Sequence, residues 1–82
     1  MSEQQEAFID ALLTMARRDA ERATANRDDN AARSVALWMA GEVERQGANP
    51  ELPDAVGKRL RAEARELRDR VLSTGTGYAA SA

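Results

Sequence analysis

The sequence predicts an all-α fold: a three-helix bundle, or a helical hairpin with a third helix packed against it. Apolar residues recur at helical spacing in three blocks, and two polar or proline-containing breaks separate these blocks. No segment alternates as a strand would. The 82 residues give room for one core, and alanine, which occurs 17 times, makes that core thin. We therefore expect a second copy or a protein partner to complete the fold, with residues 1–73 as one helical domain.

The first helix is expected to span about residues 3–24. Ser2 and Gln5 match a capping box, and Glu3 and Glu6 suit the positive end of the helix dipole. Its apolar stripe is broad enough to contact two neighbouring helices. The stripe contains Phe8, Ile9, Leu12, Leu13, Met15, Ala16, Ala20 and Ala23.

The second helix is expected to span about residues 31–46. The Asp and Asn residues of the break at 26–30 can cap its start, and Gly47 is expected to end it. One face collects most of its apolar residues. These are Ala32, Val35, Ala36, Met39, Ala40 and Val43.

The third helix is expected to span about residues 54–72, after a break that contains Pro50 and Pro53. Its apolar residues form a narrow seam of the kind that packs against another helix in a coiled coil. The seam consists of Val56, Leu60, Ala64, Leu67 and Val71. Gly57 lies beside it and allows a neighbouring helix to come close. Residues 74–82 are small and polar and are expected to form a flexible tail.

The composition argues against several classes of function. The chain contains neither histidine nor cysteine, so it lacks a side chain that ordinarily titrates near neutrality and a thiolate that binds zinc. We therefore expect no enzymatic activity, no cofactor and no metal. No apolar run reaches the length of a membrane span, and the first residues do not resemble a signal peptide. We expect a cytoplasmic protein without a membrane partner.

Four basic residues of the third helix share one flank, which we call the basic ridge: Lys58, Arg61, Arg65 and Arg68. Asp54 and Asp69 can pair with the first and third of them, whereas Arg61 and Arg68 have no acid three or four residues away. One interpretation is contact with nucleic-acid phosphates, and another is docking to an acidic protein surface. The third is a solvated flank on which Arg61 and Arg68 reach acids of the other helices. The acids that we consider for this role are Asp10, Glu21 and Glu44.

Trp38 is the only tryptophan, and the helical periodicity places it roughly opposite the main face of the second helix. Leu37 also leaves that face. A large aromatic residue among small and charged neighbours is typical of a binding hot spot. The alternative is that the second helix is central, so that Trp38 fills a contact with another helix.

Asp19 lies at the edge of the apolar stripe of the first helix. A carboxylate inside the core would need a cationic partner. Arg33, Arg59 and Arg70 are the candidates, and we expect a structural ion pair rather than a catalytic role.

These observations favour a small non-enzymatic regulator or inhibitor that binds another protein through its helical surfaces. The residues expected to contact this partner are Trp38, Leu37, Lys58, Arg61, Arg65 and Arg68. The alternative is a nucleic-acid-associated helical protein that uses the basic ridge, which the net charge of −2 and the scarcity of aromatic residues disfavour. Eleven arginines among twelve basic residues, together with the alanine content, are typical of a GC-rich bacterial or phage genome.

Overall fold

The computed structural model describes residues 1–74, and every regular element in this range is an α-helix. The helices are α1 (Glu3–Ala25), α2 (Asn30–Gly47) and α3 (Asp54–Thr74). The all-α prediction is confirmed, and the arrangement fits a three-helix bundle. Each helix begins and ends within two residues of its expected bounds. The tail expected at 74–82 lies outside the described residues except for Thr74, which is the last residue of α3.

Local side-chain hydrogen bonds fix the starts of the first two helices. Ser2 and Gln5 form the expected capping box: the Ser2 hydroxyl accepts from the Gln5 amide at 3.1 Å, and Gln5 Oε1 accepts from the Ser2 amide at 3.0 Å. Asp29 caps α2 by accepting from the Ala32 amide at 3.0 Å. Each bond satisfies an amide that the helix itself leaves without a partner.

Short connections at 26–29 and 48–53 make consecutive helices antiparallel. Helices α1 and α2 form a hairpin, and α3 packs against both of them. Small side chains dominate the hairpin core, because α1 contributes Ala16, Ala20 and Ala23 and α2 contributes Ala36 and Ala40. Alanine therefore brings the two backbones close together, and the core gains contact from this proximity rather than from large side chains.

The apolar seam of α3 is buried within the chain. Leu60, Ala64, Leu67 and Val71 are at most 2% exposed, and Val56 is half-buried. The hairpin of α1 and α2 thus covers the seam of α3, whose spacing resembles that of a coiled coil. Any association with a second copy must use a different part of the molecule.

The closest approach of α2 and α3 occurs at two glycines. A Cβ atom on Gly57 would lie 2.7 Å from the carbonyl oxygen of Gly47, and one on Gly47 would lie 2.9 Å from the carbonyl oxygen of Gly57. The close approach expected at Gly57 is confirmed. Gly47 is the last residue of α2 and does not adopt the left-handed conformation of a glycine cap. Its lack of a side chain is required by the contact with α3.

Candidate functional site

Arg61 of the basic ridge is a structural residue. Its Nη1 donates a hydrogen bond to the carbonyl oxygen of Gly47, at the C-terminal end of α2. This end carries carbonyls without helical partners and the negative end of the helix dipole, so a guanidinium is a favourable cap. The expectation that Arg61 reaches an acid of another helix is wrong, because its partner is a main-chain oxygen.

Arg68 also contacts α2, through an ion pair in which its Nη2 lies 2.9 Å from Glu44 Oε1. The hydrogen bond and charge of Arg68 lower the pKa of Glu44 below its ordinary value, and the charge of Arg65 contributes to the same shift. Glu44 is one of the acids expected for this role, so the interpretation of Arg68 as a paired surface residue is confirmed.

Lys58 and Arg65 complete the ridge, and both are exposed. Within residues 1–74 no acid lies at ion-pair distance from either of them, so the expected pairs with Asp54 and Asp69 do not form. The basic ridge is therefore divided. Two of its cations are engaged in holding α3 to α2, and two project into solvent.

Trp38 is 64% exposed, so the interpretation that it fills a contact within the core is wrong. Helices α1 and α3 pack against the stripe of α2 that contains Ala36, Ala40 and Val43, and they leave the opposite side of α2 uncovered. Leu37 points about 100° away from Trp38, as consecutive helical residues do, and packs half-buried against the core. The two residues expected to share a site therefore lie in different environments.

Three residues expected in the core are largely exposed. Phe8 is 53% exposed, Met15 is 52% exposed and Val35 is 49% exposed. The reason is the position of α3, which covers α1 on the flank of Arg17 and α2 on the flank of Glu44. Phe8 and Met15 lie on the other flank of α1, and Val35 lies on the other flank of α2.

Helical periodicity places these side chains on one side of the hairpin, and two shallow hollows between α1 and α2 lie beside Phe8 and Val35. One, of about 200 Å³, is lined by Asp19 and Arg22 from α1 and by Val35 from α2. The other, of about 280 Å³, is lined by Phe8 and Gln46. Since both helices rise 1.5 Å per residue in opposite directions, this register places Trp38 level with residues 15–19 of α1.

We call this surface the outer face and define it by Phe8, Leu12, Met15, Val35 and Trp38. Leu12 is half-buried and joins the exposed residues to the core. The exposed apolar side chains offer roughly 400–500 Å², which is as large as the functional patches of typical monomers. Sequence reasoning identified Trp38 and missed the other members of the face, because their spacing assigned them to the core stripes.

Charged residues of both signs border the outer face. Glu42 pairs with Arg45 at 3.2 Å, one turn beyond Trp38 on α2. Arg18 and Arg22 are exposed on α1.

Asp19 is half-buried beside Val35, and the structure gives it no ion pair within residues 1–74. The expected pair with Arg33, Arg59 or Arg70 is therefore wrong. Arg33 instead donates to Asn30 Oδ1 at 3.3 Å and to the Arg27 carbonyl. Asp19 faces an open hollow, where water can solvate its carboxylate.

On the opposite side of the bundle, Arg17 and Glu63 join α1 to α3. Arg17 Nη2 lies 2.8 Å from Glu63 Oε1, and its Nε donates to Oε2, so the pair is bidentate. The hydrogen bond from Arg17 lowers the pKa of Glu63, and the same bond raises the pKa of Arg17. This contact closes the third side of the bundle, away from the outer face.

No group of histidine, cysteine or acidic residues within 1–74 is arranged to hold a metal ion. None of the three helices is long and apolar enough to cross a membrane. Comparison of the chain with protein-family models, with curated proteins and with solved structures gives no match.

Proposed function

We propose that this chain is a small, non-enzymatic, cytoplasmic protein-binding regulator or inhibitor, and that the outer face is its binding surface. The observation that supports this proposal is the 64% exposure of Trp38, which helical periodicity places on the outer face together with the exposed Met15 and Val35. An exposed tryptophan that shares a surface with other exposed apolar side chains is typical of a binding hot spot, because its burial against a partner removes a large apolar area from water.

The basic ridge supports the nucleic-acid alternative less well. Its Arg61 is engaged with Gly47 and its Arg68 with Glu44, which leaves Lys58 and Arg65 as the cations free to meet phosphates. Two contacts give little of the electrostatic affinity on which nonspecific nucleic-acid binding depends.

The described residues also favour binding over catalysis. Within 1–74 no polar or charged side chain is buried. A catalytic site requires acids, bases or nucleophiles held in a shielded pocket, where the surroundings adjust their reactivity. We therefore propose a surface function for this chain.

Site-specific photo-crosslinking tests the proposal. A photoreactive phenylalanine derivative replaces Trp38 or Met15 on the outer face, and the matched control carries it at Asp69, an exposed position on the solvent side of α3. We expect both outer-face positions to capture the same protein species and the control to capture none. The complex is then reconstituted from purified proteins, and Trp38→Ala is expected to weaken it by about tenfold or more. Equal capture from all three positions would contradict the proposed surface.

A further inference from the structure

We propose that the occupant of the outer face is a second copy of this chain, and that two copies pair through this face as a four-helix arrangement. This inference rests on the proposed function, since it uses the same surface and names its partner. In the proposed regulator, a second copy covers the apolar side chains until a target protein replaces it.

The apolar area is of the size that a stable dimer requires. A standard interface buries about 1,600 Å² in total, of which roughly 60% is apolar. Two outer faces together supply roughly 800–1,000 Å² from their exposed apolar side chains, which meets this requirement. The seam of α3 offers no such area, because Leu60, Ala64, Leu67 and Val71 are already buried.

The pattern of the face also suits pairing with itself. A twofold axis that runs along the bundle places α1 of one copy over α2 of the other, at the same level and antiparallel. Trp38 of one copy then meets Met15 and Arg18 of the second copy, since these residues lie at the same level of the hairpin. A thioether and a guanidinium are both favourable neighbours for an indole ring.

Electrostatic repulsion disfavours the alternative surface for pairing. The opposite side of the bundle does not suit self-pairing as well, because the exposed cations Lys58 and Arg65 would repel their counterparts.

Sedimentation velocity over a dilution series of the purified full chain tests the dimer. We expect a dimer with a dissociation constant of roughly 1–100 µM. Met15→Glu, which places a charge on the outer face, is expected to weaken it by about tenfold or more. The matched control is Leu72→Glu, which changes an exposed apolar residue of α3 and is expected to leave the dimer unchanged. Circular dichroism verifies that both variants remain helical.

The absence of native cysteine allows a direct test of the arrangement. Met15→Cys and Glu42→Cys chains are mixed and oxidised slowly. The proposed arrangement places the two thiols on facing helices at nearly the same level, so we expect the mixed disulfide to dominate. Dominance of either homodisulfide would overturn it.

The remaining outcomes separate this inference from the proposed function. A wild-type chain that stays monomeric at roughly 500 µM, or a dimer that resists Met15→Glu, would overturn the second copy as occupant. If the photoreactive residue at position 38 still captures another protein in that case, the proposed function stands without the dimer. If the outer-face positions capture neither a second copy nor another protein, both proposals fail.

Discussion

Arg61 donates a hydrogen bond from α3 to the carbonyl oxygen of Gly47, at the point where α2 ends. The same oxygen would lie 2.7 Å from a Cβ atom on Gly57, one turn earlier on α3. The absence of a side chain at Gly57 therefore allows the two helix backbones to come close together. Arg61 then donates a hydrogen bond to the Gly47 carbonyl, which this close approach places beside α3. The two residues act together to fix where α3 crosses the end of α2.

The first prediction concerns this crossing. Gly57→Ala is expected to lower the free energy of unfolding by about 1–3 kcal/mol. The added methyl group clashes with the carbonyl oxygen of Gly47, and relief of this clash requires a shift of the backbone. Gly41→Ala is the control, since a Cβ at Gly41 has no neighbour within 4 Å and this exchange is expected to stabilise α2 by about 0.5–1 kcal/mol. Urea unfolding followed by circular dichroism measures both. Equal effects at the two glycines would contradict the assignment.

The second prediction separates Arg61 from its neighbour Arg65. Arg61→Ala removes the cap of α2 and is expected to cost about 1–2 kcal/mol of stability. Arg65→Ala is expected to change stability by less than about 0.5 kcal/mol, because that guanidinium is exposed and has no ion pair within the described residues. Thermal unfolding of the two variants in parallel checks this difference. Similar melting temperatures would show that the bond to Gly47 contributes little.

Arg61 also shows which kind of contact could not be predicted from the sequence. The ends of α1 were predictable because the capping box is local, and Ser2 and Gln5 lie three residues apart. The partner of Arg61 was not predictable in the same way, since it is a main-chain oxygen on another helix. An argument from pairs of opposite side-chain charges does not find such an acceptor.

The exposure of the apolar residues on the outer face was not predicted for a similar reason. Periodicity gives the angular position of each residue around its helix but not which flank the third helix will cover. Phe8, Met15 and Val35 lie at the edges of their apolar stripes, so their burial depended on the position of α3. Trp38 was recognised because it lies far from its stripe and is left exposed in any arrangement that covers the stripe alone.

The third prediction is a dependence of stability on pH through Arg17 and Glu63. The pKa of Glu63 is lowered in the folded state by the hydrogen bond from Arg17, so this pair stabilises the fold above the ordinary glutamate pKa of 4.5. The contribution is lost as the pH falls from that value through the folded-state pKa. Because Arg17 is 52% exposed, solvent screening limits the effect at neutral pH to about 0.5–1 kcal/mol.

Glu63→Gln tests this dependence. The variant is expected to be less stable than the wild type at pH 7, and the difference is expected to shrink as the pH falls below the ordinary glutamate pKa and the native carboxylate becomes protonated. Denaturant unfolding at pH 7 and at a series of lower pH values gives these differences in free energy. A constant difference between variant and wild type across this range would exclude the ion pair as its cause.

The last prediction uses Trp38 as both a probe and a target. Truncation of a buried aromatic residue costs about 3–5 kcal/mol, whereas Trp38→Ala is expected to cost less than about 1 kcal/mol because the side chain is 64% exposed. Leu67→Ala is the control for a core position, where about 2–5 kcal/mol is expected since this leucine is 2% exposed.

Trp38 also serves as a fluorescent probe, and it should emit at long wavelength and be quenched readily by acrylamide when the chain is dilute. Its emission should shift to shorter wavelength as the outer face is covered at higher concentration, and Leu72→Glu should leave that shift intact while Met15→Glu removes it. A loss of stability at Trp38 as large as that at Leu67 would place the indole in the core and exclude it from the binding surface.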